Sequence, residues 1–250
     1  MTKSPEPSPG PSPGSPAAPP AALQRRRVLV EVLAAFVLAT GVVSGLYRLR
    51  GVPIIERNLA VVAAVMFLYL PAMILWRRGR DLDQYGLLVR PLGRGLGWFV
   101  GAAALVVPLF SLGYFLYLRT GCLHLPRWLV FCPSYGPPLG DPIKLRLPPQ
   151  LALLTLSQLL VVALPEEFFF RGYLQGRLRE VYPAKAAWLG QAVLFALGHY
   201  LVTFDPSALA VFFPGLLFGL LRAQTGSVLA GTLMHALSNL LIDILHRTLV

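Results

Sequence analysis

The chain reads as an all-α protein, a polytopic transmembrane helical bundle of about seven spanning helices. Three observations predict this class. Of its 250 residues, 56% are hydrophobic and 13% charged, whereas a soluble domain is nearer ~45–50% apolar and ~25% charged. The mean hydropathy is +0.64. Apolar segments follow one another along the chain, each near the ~20 residues that cross a ~30 Å hydrocarbon core.

Residues 1–24 form a Pro/Ser/Gly/Ala tract that lacks the apolar content for a core, so a disordered cytoplasmic tail is expected. The apolar run behind Arg25, Arg26 and Arg27 is long enough to span and shows no cleavage signature, so it reads as a helix and not a signal peptide. Spans are expected at 28–47, 58–76, 96–118, 150–177, 185–203, 207–222 and 226–245. The sixth is the weakest, because it carries Pro214 and Gly215, and Pro71 and Pro108 are expected to kink the second and third. Residues 25–149 thus hold three spans and an outer loop, and residues 150–250 hold four spans.

A net charge of +11 suggests nucleic acid at first sight. No basic stripe lies outside the membrane flanks, so the excess reads instead as cytoplasmic loops and headgroup contacts. The Lys/Arg bias places Arg25–Arg27, the Arg77–Arg94 stretch, Arg177–Lys185 and Arg222 on one side. A multi-pass protein of the cell inner (plasma) membrane with a cytoplasmic amino terminus follows, against the counter-weight of Arg48, Arg50, Arg57, Lys144 and Arg146. Cys122 and Cys132 then share an outer loop, where a disulfide and two free thiols are both admissible.

Charge inside a bilayer is costly, so it survives mainly where it faces a protein interior or a water-filled cavity. The fourth segment nonetheless carries Glu166, Glu167 and Arg171, the fifth His199, and the seventh His235 and Asn239. At 1.5 Å of rise per residue Glu166, His199, His235 and Asn239 lie ~14–21 Å from the cytoplasmic helix ends near Arg177, Lys185 and Gly226, so three helices deliver them to one layer. Glu167 and Arg171 are four apart, acid first, the favourable order for a helical ion pair. Glu166 points ~100° away and is left for chemistry. His235 and Asn239 stack on one face. Taken singly, each has a plainer reading: a bundle ion pair for Glu167 and Arg171, interhelical hydrogen bonds for the rest. The Phe168–Phe170 run reads as lipid- or substrate-facing packing.

Three motifs in order, Glu166-Glu167-Phe-Phe-Phe-Arg171, Phe195-Ala-Leu-Gly-His199 and His235-Ala-Leu-Ser-Asn239, resemble the CPBP family of intramembrane proteases. This family includes the CAAX proteases, also called Abi or type II CAAX endopeptidases, and bacterial members such as the myxosortases. The resemblance covers about 150–245, and the stretch Asp81-Leu-Asp-Gln-Tyr-Gly-Leu is loosely similar. It implies an intramembrane endopeptidase acting on a membrane-associated protein or peptide, at a CAAX-type end or in a sorting or leader segment. In this reading Glu166 and His199 activate a water, while Asn239 and His235 stabilise the oxyanion. Arg171 and Glu167 support them. No cofactor is expected. A zinc alternative would use Glu166, His199 and His235, though no HExxH occurs. Two other classes use the same residues: a proton- or cation-coupled transporter, and a non-catalytic membrane scaffold. The absence of paired repeats argues against the first, the intact polar set against the second.

Overall fold

The computed structural model describes residues 21–87, 92–118 and 144–249. The two cysteines and most of the amino-terminal tract lie outside these residues. Among the described residues there is no strand, and seven helices are long and apolar enough to span a membrane. These are α1 (Ala21–Arg48), α2 (Pro53–Arg77), α3 (Leu92–Leu116), α4 (Leu151–Arg179), α5 (Ala184–Thr203), α6 (Pro206–Thr225) and α7 (Leu229–Leu249). Each overlaps an expected span. The largest shift is in α1, which starts at Ala21, inside the stretch expected to be tail. Ala, Leu, Gln and Arg are strong helix formers, so the helix continues past the lipid-crossing part.

The core is aromatic and sits on α4. Phe168, Phe169, Phe170 and Tyr173 are buried among Val32, Phe36 and Ala39 of α1, Phe67 of α2 and Phe195 of α5. This corrects the lipid-facing half of the expectation for the phenylalanine run: the rings meet edge-on or tilted at centroid distances of 5.0–6.2 Å inside the bundle. By contrast α3 lies at the periphery, packing mainly on α7 and α6.

Helix α4 is not a uniform α-helix. Two π-helical stretches, Gln158–Ala163 and Phe168–Leu174, flank the α-helical turn Leu164–Glu167. Such insertions are frequent at functional sites because they re-aim side chains within a helix. Here they bracket the two glutamates.

Helix α6 begins as a 3-10 turn, Pro206–Val211, with Asp205 accepting from the Ser207 amide at 2.9 Å. Its carbonyls are gripped by neighbours: Gln191 donates to Gly215 at 2.9 Å, Trp188 to Leu216 at 2.8 Å and Gln175 to Gly219 at 3.1 Å. A Cβ on Gly215 would stand 3.3 Å from the Phe195 ring, so the glycine lets α5 and α6 close on each other. The expectation that the sixth span is the weakest does not hold: its mean hydropathy of 1.5 exceeds the 1.3 of α5 and the 1.2 of α7, and two amides and an indole hold its carbonyls as well.

The α2–α3 connection contains a short 3-10 helix, Leu82–Tyr85, seated on α4. Glycines make this possible. A Cβ on Gly172 would fall 2.7 Å from the Tyr85 carbonyl, and one on Gly176 2.8 Å from the Tyr85 ring. Gly86 (φ +84°) turns the chain, and its carbonyl accepts from the Val228 amide at 2.9 Å, tying the connection to the start of α7. This is the stretch that loosely resembled the family in sequence, and here it straps one end of the bundle together.

Candidate functional site

Glu167 has no exposed side-chain surface. Its Oε1 accepts from Arg171 Nη1 at 2.8 Å and lies 3.0 Å from His235 Nδ1. Gly231 on α7 allows this approach, since a Cβ there would stand 2.7 Å from Glu167 Oε2. Arg171, equally enclosed, lies with its guanidinium carbon 4.0 Å from the centre of the Phe195 ring and 5.2 Å from that of Phe218. The rings supply a quadrupolar partner where water is absent.

His235 is the joint of the site. Its Nδ1 faces a carboxylate, which can only accept, so Nδ1 donates and in the neutral ring Nε2 is the nitrogen with the lone pair. That Nε2 lies 3.9 Å from Glu166 Oε2, too far for a direct hydrogen bond. The ring also stacks on Phe218, centroids 5.1 Å apart at 21°. Glu166 Oε2 is buried and has no hydrogen-bond partner among the described residues.

Glu166 and His199 line one cavity of about 120 Å³, together with residues that include Thr40, Phe67, Phe170 and Gly198. His199 Nδ1 lies 3.0 Å from the Phe195 carbonyl, which can only accept. In its neutral form the second imidazole therefore also presents a bare Nε2. A Cβ on Gly198 would press on Thr40 and Phe36 at 3.3 and 3.4 Å, so this glycine brings α5 against α1 beside the cavity.

Asn239 takes a different position. Its Nδ2 donates to Gln158 Oε1 at 2.9 Å, on the first residue of the first π-helical stretch. Thus Glu166, Glu167, Arg171 and His235 form one connected cluster, His199 joins it across a cavity, and Asn239 is held one turn further along α7. Gln158 was not singled out from the sequence; a lone glutamine in an apolar helix, two turns before a paired glutamate, was the available signal.

A second polar network lies at the basic end. Glu31 of α1 accepts from Arg177 Nε at 2.9 Å and Nη2 at 3.1 Å and from the Tyr173 hydroxyl at 3.1 Å, and it pairs with Arg78. Glu180 accepts from the Tyr85 hydroxyl at 2.5 Å and Arg177 Nη1 at 2.5 Å. Burial, reinforced by the Glu180 carboxylate, pushes the Tyr85 phenol up to about 12. Burial would raise Glu180 as well, but the hydrogen bonds from Tyr85 and Arg177 outweigh it and hold the carboxyl below its ordinary value. Glu31 was also missed in the sequence, although it is an acid one turn inside an apolar helix.

Among the described residues no three His, Cys, Asp or Glu side chains gather in a metal-holding arrangement. Zinc would need Glu166, His199 and His235 together; the His235 Nδ1 bond to Glu167 leaves Nε2 free as a ligand, and His199 lines the same cavity as Glu166.

A buried acid–imidazole cluster inside a bundle of seven spanning helices defines a polytopic membrane protein with a polar centre at bilayer depth. Residues 148–241 match the family described as type II CAAX prenyl endopeptidase, Rce1-like, in agreement with the CPBP/CAAX protease family read from the three motifs. The match spans α4 to most of α7 and includes every residue of those motifs. No curated protein and no solved structure matches the chain.

Proposed function

We propose that this protein is a CAAX-type intramembrane endopeptidase that hydrolyses a peptide bond of a membrane-associated protein or peptide, without a metal. The observation that carries the reading is the environment of Glu166. An acid side chain with a buried, unpartnered oxygen faces a small cavity shared with His199 and lies 3.9 Å from the bare nitrogen of His235. That is the environment a water-activating base requires.

Glu166 takes a proton from a water in this cavity, and His199 Nε2 accepts a second hydrogen bond from it and fixes its direction. The water oxygen attacks the substrate carbonyl. Asn239 then donates its remaining amide hydrogen to the developing oxyanion, an interaction whose loss typically costs ~2.7–4 kcal/mol of transition-state stabilisation. The proton on Glu166 passes to the leaving amine.

For His235 the geometry favours a role other than direct oxyanion donation. Glu167, anchored by Arg171, holds the Nδ1 proton, so Nε2 is an acceptor that Glu166 can donate to only after it has taken up the proton of the water. Arg171 is a positioning residue.

The test is a comparison of membrane proteomes from cells carrying the wild-type protein and Glu166→Gln. Uncleaved termini should accumulate in the variant, with both proteins present at equal amounts in the membrane. Identical termini would remove the assignment.

A further inference from the structure

At the basic end of the bundle a groove of about 800 Å³ runs between α1 and α2, away from the Glu166 cavity. Arg26, Arg27 and Arg78 stand at its mouth, and its walls are apolar side chains including Val30, Leu38 and Ile74. Val30 and Leu38 are 59% and 51% exposed, a large apolar area for one helix face.

Two features specify an occupant. The first is charge. Three arginines and one glutamate, Glu31, line the groove, and Glu31 is already held by Arg177 and Tyr173 from α4. Arg78 pairs with Glu31 as well, so the net positive charge of the mouth rests on Arg26 and Arg27, and the half-exposed Arg78 offers an anion only the N–H groups that this pair leaves over. Guanidinium groups match phosphate oxygens in charge and in planar fork geometry. The second is length. Twelve residues separate Arg26 from Leu38, ~18 Å of helix rise. One leaflet of a ~30 Å hydrocarbon core is ~15 Å deep. A ligand with an anionic head at the arginines and a chain reaching Leu38 has the dimensions of a leaflet lipid.

We propose that this groove binds one anionic phospholipid, its phosphate on Arg26, Arg27 and Arg78 and an acyl chain along the α1–α2 wall. A zwitterionic lipid lacks the net charge the mouth selects, and free phosphate leaves the apolar wall uncovered. The lipid sits beside the Glu31–Arg177 pair that joins α1 to α4, so its binding favours the assembled bundle by linkage.

The test is native mass spectrometry of the full chain in detergent, with phosphatidylglycerol, phosphatidylcholine of the same acyl chains, or inorganic phosphate. Phosphatidylglycerol should be retained over phosphatidylcholine and should raise the melting temperature, and phosphate at equal concentration should not displace it. Arg26→Gln with Arg27→Gln should weaken the phosphatidylglycerol interaction about thirty-fold. Ala34→Trp, which fills the groove and leaves every charge, should reduce retention of the same lipid. Equal retention of the two lipids, displacement by phosphate, or an unchanged preference in the double arginine variant would overturn the proposal. Both arginines are exposed on the first turns of α1, so that variant is decisive even if Ala34→Trp fails to fold.

Discussion

His235 Nδ1 meets Glu167 Oε1 at 3.0 Å, and this bond turns the opposite edge of the imidazole toward Glu166. Two adjacent glutamates thereby do different work. Glu167 is an acceptor locked between a guanidinium and a ring, and Glu166 lines the cavity it shares with His199.

Glu166→Gln should lower kcat by about 10²–10⁴, the usual contribution of general acid–base catalysis. The melting temperature in detergent should stay near wild type, because Glu166 Oε2 has no hydrogen-bond partner to lose. Turnover of a substrate identified by terminal proteomics measures it. His199→Ala should show the same loss, and either variant retaining full activity would exclude that residue from the chemistry.

Arg171→Met leaves Glu167 buried with its charge uncompensated, and breaking such a pair typically costs ~3–5 kcal/mol. Removing both partners, Arg171→Met with Glu167→Met, should recover much of that stability, read as melting temperature. Cleavage should stay low in the double variant, since His235 Nδ1 then has no acceptor. Stability and activity separating in this way distinguishes positioning from mere packing.

Gly231→Ala puts a methyl group 2.7 Å from Glu167 Oε2. Overpacking of this kind costs ~1–3 kcal/mol, and the displaced carboxylate should draw His235 out of line. A lower melting temperature together with reduced kcat is expected, with KM little changed.

Gln158→Leu removes the acceptor that orients the Asn239 amide. A fall in kcat of about tenfold is expected, the equivalent of ~1.4 kcal/mol, within the range for an unsatisfied donor. Gln158→Glu keeps an acceptor at the same place and should restore most of the rate. Equal loss in both variants would point to packing instead.

The strap at the basic end sets a pH window for stability. Tyr85 titrates near 10.0 when exposed and at about 12 here. Its contribution is therefore complete below about 10 and is lost as pH rises toward about 12. Glu180 shifts the other way, down from 4.5, so its contribution is present above that value and is lost as pH falls through the lower folded value. Melting temperature should be flat between these limits and drop on either side. Tyr85→Phe should flatten part of the alkaline fall.

The spans and the acid–base order were legible because hydropathy and the four-residue repeat are local properties of a helix. Glu167 and Arg171 pair as their spacing suggested. What escaped was anything set by a second helix. The Glu167–His235 bond joins residues 68 positions apart, and Gln158 meets Asn239 across 81. The two π-helical stretches were also invisible, because a uniform 100° step per residue leaves no room for an inserted residue. Phe168–Phe170 misled for a related reason: in a membrane protein an apolar side chain suits lipid and core equally, so hydrophobicity alone does not say which it meets.

The aromatic lid over Arg171 has one more consequence. Mobile ions screen charges they can approach, over ~8–10 Å at ordinary ionic strength. Arg78 and Arg80 at the basic end stand within reach of such ions, so their pairs weaken in concentrated electrolyte. The guanidinium packed against Phe195 and Phe218 has no exposed surface, so its bond to Glu167 should persist in extraction media that strip the periphery.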